Sequence, residues 1–232
     1  MLTLDLEMSA KILVGAKKES VPKGEVEIKN PERYHHGNLK ESLVRMGLEI
    51  LVKEGAESLT LREVARRVGV SHAAPYRHFA DKNELIVAIA DEGFTLLDEK
   101  LEETLVHNSK QDVASQITEL AWTYVKFTFH HRPHMKVMFG SYVTDFTKYP
   151  GMEAKITRGR DLLEAVILEG QKQKKLRASD LRLMALSCWS MVHGVAMLLV
   201  ERRSEINDYS ETELESFSKA LMANLLSGLL SS

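Results

Sequence analysis

Thr60–Phe79 reads TLREVARRVGVSHAAPYRHF, and this stretch decides the fold. Thr60 stands where a helix begins, with Glu63 three residues on, the spacing of a capping box. Leu61, Val64, Ala65 and Val68 recur at three- and four-residue steps, so they share one apolar helix face, while Arg62, Arg66 and Arg67 fall outside it. Gly69 is a helix stop, since glycine takes the left-handed C-terminal conformation at no steric cost. Ser71 can then cap a third short helix reaching Phe79. Helix, tight turn and short helix make the helix-turn-helix pattern, whose second helix fits the major groove of DNA while the first crosses the backbone. The stretch holds four Arg and one Glu, a local +3.

Outward from it the pattern stays helical. Leu39, Leu43, Met46, Gly47, Ile50 and Leu51 form one stripe that Gly55 closes. Asp81 can cap a fourth helix carrying Ile86, Ile89, Ala90, Gly93 and Leu97. Further helices are expected over residues 112–131, 133–140, 151–175, 179–203 and 211–230, with Pro133 opening one and Pro150-Gly151 breaking before another. The last is amphipathic through Leu214, Phe217, Leu221, Leu225 and Leu229. No strand-period alternation persists. The expected class is all-α, with a flexible leader over 1–32, a three-helix DNA-binding domain over 33–82 and a helical bundle over 83–232.

Charge follows the same division. The chain of 232 residues has a formal net charge of −2, which argues against a general polyanion coat. Residues 33–82 count nine Lys and Arg against six Asp and Glu, a net +3, whereas residues 91–232 count 17 against 20, a net −3. A basic head on an acidic body fits a reader of one short DNA site. The single cysteine, Cys188, excludes an intramolecular disulfide or a multi-cysteine zinc site and reads as a buried small group. His130 and His134 have chelating i,i+4 spacing, but Pro133 breaks the helix between them and no acid or cysteine nearby in sequence completes a set, so no metal is expected. Leu183–Val200 runs 18 residues without a charge, at the lower limit of a membrane span. With Ser187, Ser190, His193 and Gly194 inside it, a fully buried helix of a bundle or dimer explains it better, and no membrane partner is expected. The N-terminus has no secretory signal, so the cytoplasm is the default location. No phosphate loop, nucleophile elbow or His-Glu-x-x-His motif stands out, so no catalytic residue and no cofactor are expected.

The run Tyr34–Leu97, through YHHGNL and LTLREVARRVGVSHAAPYRHFADKNELI, resembles the TetR family of one-component bacterial transcriptional regulators. The resemblance rests on GVS, the Tyr-x-His-Phe ending and the lysine after it. It implies that Arg62 reaches a base edge, with guanine its natural bidentate partner, and that His72, Ala73 and Ala74 face bases, the alanines offering methyl contacts. It implies phosphate contacts from Thr60, Ser71, Tyr76, His78 and Lys82, and an arm containing His35 and His36. Pro75 departs from many relatives, which carry leucine there, and costs one hydrogen bond in the first turn.

CWSMVHGVAML resembles a subclass of the family's C-terminal domains marked by Trp-x-x-x-His-Gly. In the family the last two helices pair across a two-fold axis, which implies a homodimer interface including Ser190, Gly194, Leu214, Phe217, Leu221 and Leu225. A small-molecule pocket between the middle helices is expected from Trp122, Phe127, His134, Met138, Phe139, Phe146, Trp189 and His193, suiting a hydrophobic effector. The implied function is a homodimeric repressor that binds a palindromic double-stranded DNA operator and is released by a small molecule. The alternatives are a ligand-independent activator or architectural factor, with an enzyme a remote third.

Overall fold

A computed structural model describes residues 39–143, 145–202 and 204–228. The expected leader 1–32, the arm with His35 and His36, and Leu229 lie outside the described residues. The described residues are all-helical and contain no strand. The helices are α1 (Leu39–Glu54), α2 (Leu61–Val68), α3 (Lys82–His107), α4 (Val113–His130), α5 (Arg132–Phe139), α6 (Met152–Lys172), α7 (Leu181–Glu201) and α8 (Glu211–Ser227).

Each helix starts and stops for a local reason. Thr60 accepts the Glu63 N–H, Asp81 that of Glu84, Asp112 that of Ser115, and Asp180 that of Leu183. These bonds satisfy donors that a helix N-terminus leaves open. Ser210 and Glu213 form a complete capping box at α8. At α2 the box forms only by half, because the Glu63 carboxylate turns to Arg66 and Arg67 instead of the Thr60 N–H. Gly69 stands at φ +80°. Its N–H bonds to Arg66 O and that of Val70 to Ala65 O, the paired bonds of a Schellman stop. Pro133 lies in the first turn of α5, so α4 ends at His130.

The segment after Gly69 departs from expectation. Ser71–Phe79 is not an α-helix capped by Ser71 but a turn leading into a 3-10 turn, Pro75–Arg77, with no side-chain cap. Its bonds are short-range: Ala74 N–H to Ser71 O at 2.9 Å, Arg77 to Ala74 O at 3.2 Å and His78 to Pro75 O at 2.9 Å. Proline at 75 has no N–H to return to Ser71, and that loss tightens the whole short element.

Packing places α4 at the centre of the second half, against α3, α6, α7 and α8. Ile117, Leu120, Ala121, Tyr124 and Val125 on α4 are buried. Burial of each large apolar side chain stabilises by about 1.5–3 kcal/mol. At the other end α1 lies on α3, where Gly47 allows close approach: a Cβ there would stand 3.1 Å from Leu85 Cδ2 and 3.2 Å from Ile89 Cδ1.

Helix α7 is only partly buried within the single chain. It is long and apolar enough to cross a membrane by length and composition, and 39% of its apolar window is buried. One face packs on α4 through Met184, Ala185, Cys188, Val192, Val195, Ala196 and Leu199. The other leaves Leu183, Leu186 and Leu198 at 60%, 49% and 45% exposure.

Candidate nucleic-acid interface and interior cavity

The head presents its polar groups in two kinds. Arg66 and Arg67 are held. Both guanidinium groups donate to Glu63, Arg66 at 2.8 and 2.7 Å and Arg67 at 2.7 Å, and Arg67 also bridges to Glu54. The two arginines push the Glu63 carboxyl down to about 2. Arg62, on the same short helix, is exposed and takes part in no ion pair or hydrogen bond among the described residues. The local +3 therefore concentrates on Arg62 and on Arg77, which is also exposed and was not singled out by the sequence. A signal for Arg77 was present in the sequence, since it lies between Tyr76 and His78.

The remaining sequence-predicted contacts crowd around them. Ser71, His72, Ala73 and His78 are exposed and Ala74 is half-buried. Tyr76 is 52% exposed, a large value for an aromatic ring in a folded head, while Phe79 and Pro75 beside it are buried. Thr60 spends one lone pair on the Glu63 N–H at 3.1 Å and keeps its hydroxyl proton for a partner. Lys82 sits at the first position of α3, its Nζ 3.3 Å from Ala56 O, which leaves ammonium donors free. Thr60, Tyr76 and Lys82 line one shallow depression between the end of the helix-turn-helix and the start of α3.

In the second half the described helices enclose a cavity of about 330 Å³. Its wall comes from several helices and includes Phe94, Leu97, Leu101, Leu120, Tyr124, Phe139, Trp189 and Val192, with Ile156 and the exposed Leu186 at the rim. Of the sequence-predicted pocket residues, Phe139 and Trp189 line it. His193 lies directly behind, its ring 4.5 Å from Trp189 and 4.7 Å from Phe139, its Nδ1 2.9 Å from the Tyr124 hydroxyl. Burial holds the Tyr124 phenol well above its ordinary range and pulls His193 down, so a neutral phenol and a neutral imidazole share this hydrogen bond.

The others are placed elsewhere. Trp122 is buried beneath Lys126, Phe127 stacks on His131 at 4.5 Å, and Phe146 packs edge-on to Phe94. Met138 and His134 fill the contact of α5 with α3, where a Cβ on Gly93 would lie 2.6 Å from Met138 Sδ. His134 Nε2 is buried without a hydrogen bond, and burial together with His131 pulls it down to about 4. His130 pairs with Glu211 at 2.8 Å while His134 faces Glu92 at 4.0 Å, so the two histidines do not converge. Cys188 is buried against the cavity, its thiol pushed up to about 11. Asp98, Lys155, Gly159 and Arg160 line the cavity and escaped the sequence reading. Asp98 left a trace: an acid four residues after Phe94 and three before Leu101, inside the apolar stripe of α3.

Among the expected interface residues, Ser190 and Gly194 are exposed on α7, in register with Leu183, Leu186 and Leu198. Phe217, Leu221 and Leu225 are half-buried on α8. Leu214, at the start of the same stripe, is fully buried inside the chain.

An arginine-bearing helix, a glycine stop and a short exposed 3-10 turn, within described residues that are helical, have the layout of a helix-turn-helix DNA-binding unit. Residues 43–89 match the model of bacterial regulatory proteins of the tetR family. The tetracycline repressor protein class C of Escherichia coli is 40% identical over 57 residues, which cover 25% of this chain and 26% of that one. The chain thus matches about a quarter of that relative's length. A protein of unknown function from Rhodococcus sp. RHA1 superposes with a TM-score of 0.70 at 28% identity, over 86% of this chain and all of that one. PfmR, a TetR family transcriptional regulator from Thermus thermophilus, shares the fold with a TM-score of 0.64 at 19% identity, over 82% of this chain and 96% of its own. Over residues 43–89 the chain is thus similar to the TetR family of transcriptional regulators, and its fold is shared with solved members of that family.

Proposed function

We propose that the protein is a cytoplasmic homodimeric repressor that binds a palindromic DNA operator through Arg62, His72, Ala73 and Ala74 on bases and Thr60, Ser71, Tyr76, His78 and Lys82 on phosphates. A small molecule in the cavity releases it. One observation carries this reading: α3 is a single helix whose first residue, Lys82, belongs to the DNA face and whose later residues, Phe94, Leu97 and Leu101, line the cavity. At 1.5 Å per residue Lys82 and Leu97 stand about 22 Å apart on one rigid rod. A ligand that tilts the rod moves the head, and two heads fit successive major grooves only at about 34–36 Å separation. Effector binding therefore shifts the population toward dimers that no longer match the operator.

The dimer is supported by the α7 stripe Leu183, Leu186, Ser190, Gly194 and Leu198, exposed at helical spacing on a chain that buries most of its large apolar groups. Phe217, Leu221 and Leu225 of α8 extend it. Leu186 belongs both to that face and to the cavity rim, so pairing would shelter the opening.

The test is a protected palindrome in the DNA flanking the gene, sought by footprinting, with sedimentation at twice 26.2 kDa. A monomer that leaves the flanking DNA unprotected would end this reading.

A further inference from the structure

We propose that the effector is an organic cation, an amine with an apolar body whose ammonium group is held by Asp98 on the α3–α6 side of the cavity. This rests on the effector reading above and names the chemistry of its ligand.

Asp98 is the acid in the cavity wall, and it is half-buried. No hydrogen bond or ion pair among the described residues reaches it. The cations around it lie nearer to other acids. Lys155 pairs with Asp91 and donates to Thr95 Oγ1 at 2.9 Å. Arg158 donates twice to Glu102, at 2.9 and 2.6 Å, and Arg160 faces Glu164 at 3.7 Å. Each of these cations has an acidic neighbour, whereas Asp98 has neither a hydrogen bond nor an ion pair among the described residues.

The surroundings of that charge suit an ammonium group. Gly159 stands across from it: a Cβ there would lie 3.1 Å from Leu101 Cδ1 and 4.0 Å from Asp98 Oδ1, so glycine lets α6 approach Leu101 closely beside the carboxylate. Phe94, Tyr124, Phe139 and Trp189 line the same space, and aromatic faces attract cations. Burial raises the Asp98 carboxyl to about 6, against opposing Arg158 and Lys155 fields. At neutral pH the group is thus mostly an ionised carboxylate that lacks a counter-ion, a state that a bound ammonium relieves.

The chain has two tryptophans, and Trp189 lines the cavity while Trp122 does not. In a Trp122→Phe background, Trp189 fluorescence reports binding of decylamine, decanoate and decanol below their aggregation limits at pH 7.5. We expect decylamine to bind at least tenfold tighter than decanoate. Asp98→Asn, near-isosteric and checked by its thermal melt, should weaken decylamine at least tenfold and leave decanol within twofold. Tighter binding of decanoate, or an Asp98→Asn variant that holds decylamine unchanged, would overturn the proposal while leaving the effector reading intact. Failure of all three probes, decanol included, would instead overturn the effector reading itself, and this proposal with it.

Discussion

The head and the cavity handle charge in opposite ways. On α2 the acids Glu54 and Glu63 hold Arg66 and Arg67 in place, so that the free charge left over is positive, on Arg62. Along α6 each base has an acidic neighbour, and the ionisable group of the cavity wall without an ion pair is the acid Asp98. In both regions the function is assigned to the group that structural pairing leaves unmatched. The difference lies in distance along the chain. The head's partners lie within 13 residues of one another, whereas Asp98 meets Gly159 across two helices and is flanked by Trp189 from a third.

The comparison breaks first if the head stands on its ion pairs alone. Leu85 is fully buried beneath α1, so Leu85→Ala should cost about 2–5 kcal/mol in denaturant unfolding. Glu63→Gln, which releases Arg66 and leaves Arg67 on Glu54 at an exposed site, should cost far less. The reverse order would mean that surface pairing, not packing, holds the head together.

Next in size is the contrast between free and held arginines. Arg62→Ala should weaken specific binding by about 1–3 kcal/mol and relax preference at one base pair. Arg66→Ala should change specific binding little. Lys82→Ala should instead weaken all sequences alike and reduce the slope of log affinity against log salt by about 1. Titrations on cognate and scrambled DNA at several salt concentrations separate the three, and an Arg62→Ala loss equal on both DNAs would remove its base-reading role.

Gly69→Ala isolates backbone conformation. No atom lies within 4 Å of the Cβ it would add, and its φ is +80°, so the cost is conformational alone, about 1–2 kcal/mol. A melt unchanged from the parent would show that the turn relaxes out of the left-handed region.

The smallest effect is a pH dependence in the cavity. A carboxyl raised to about 6 when folded, against an ordinary 3.8, binds its proton more tightly in the native state. The stability tied to that proton is present at low pH and lost as pH rises through about 6. The melting temperature of Asp98→Asn relative to the parent should therefore climb by roughly a few degrees as pH rises from about 4 to about 7. A difference that is flat with pH would place Asp98 in solvent rather than in the cavity wall.

Much of the head was legible in sequence because its signals are local. The α2 stripe, the Thr60 cap and the Gly69 stop each act within four residues, and the structure reproduces all three. The recognition segment was misjudged at Pro75, where one missing N–H outweighs a helical spacing of side chains. The cavity was read only in part. Aromatic and methionine residues on apolar faces look alike whether they fill a core, as Met138 and Phe127 do, or line a space, as Phe139 and Trp189 do. Asp98 was passed over because an acid on a helix is ordinarily a solvated one.

The sequence by itself determined where the long helices start and stop to within a few residues, that the head is basic and the body acidic, and that Thr60 to Gly69 form a capped helix with a glycine stop. These follow from periodicity, capping and charge counts, all of which act between near neighbours. Only the tertiary structure decided which arginine is free, which acid is unmatched and which apolar side chains border empty space. Each of those depends on what stands opposite, and what stands opposite comes from a distant part of the chain: Gly159 across from Asp98, and His193 behind Tyr124.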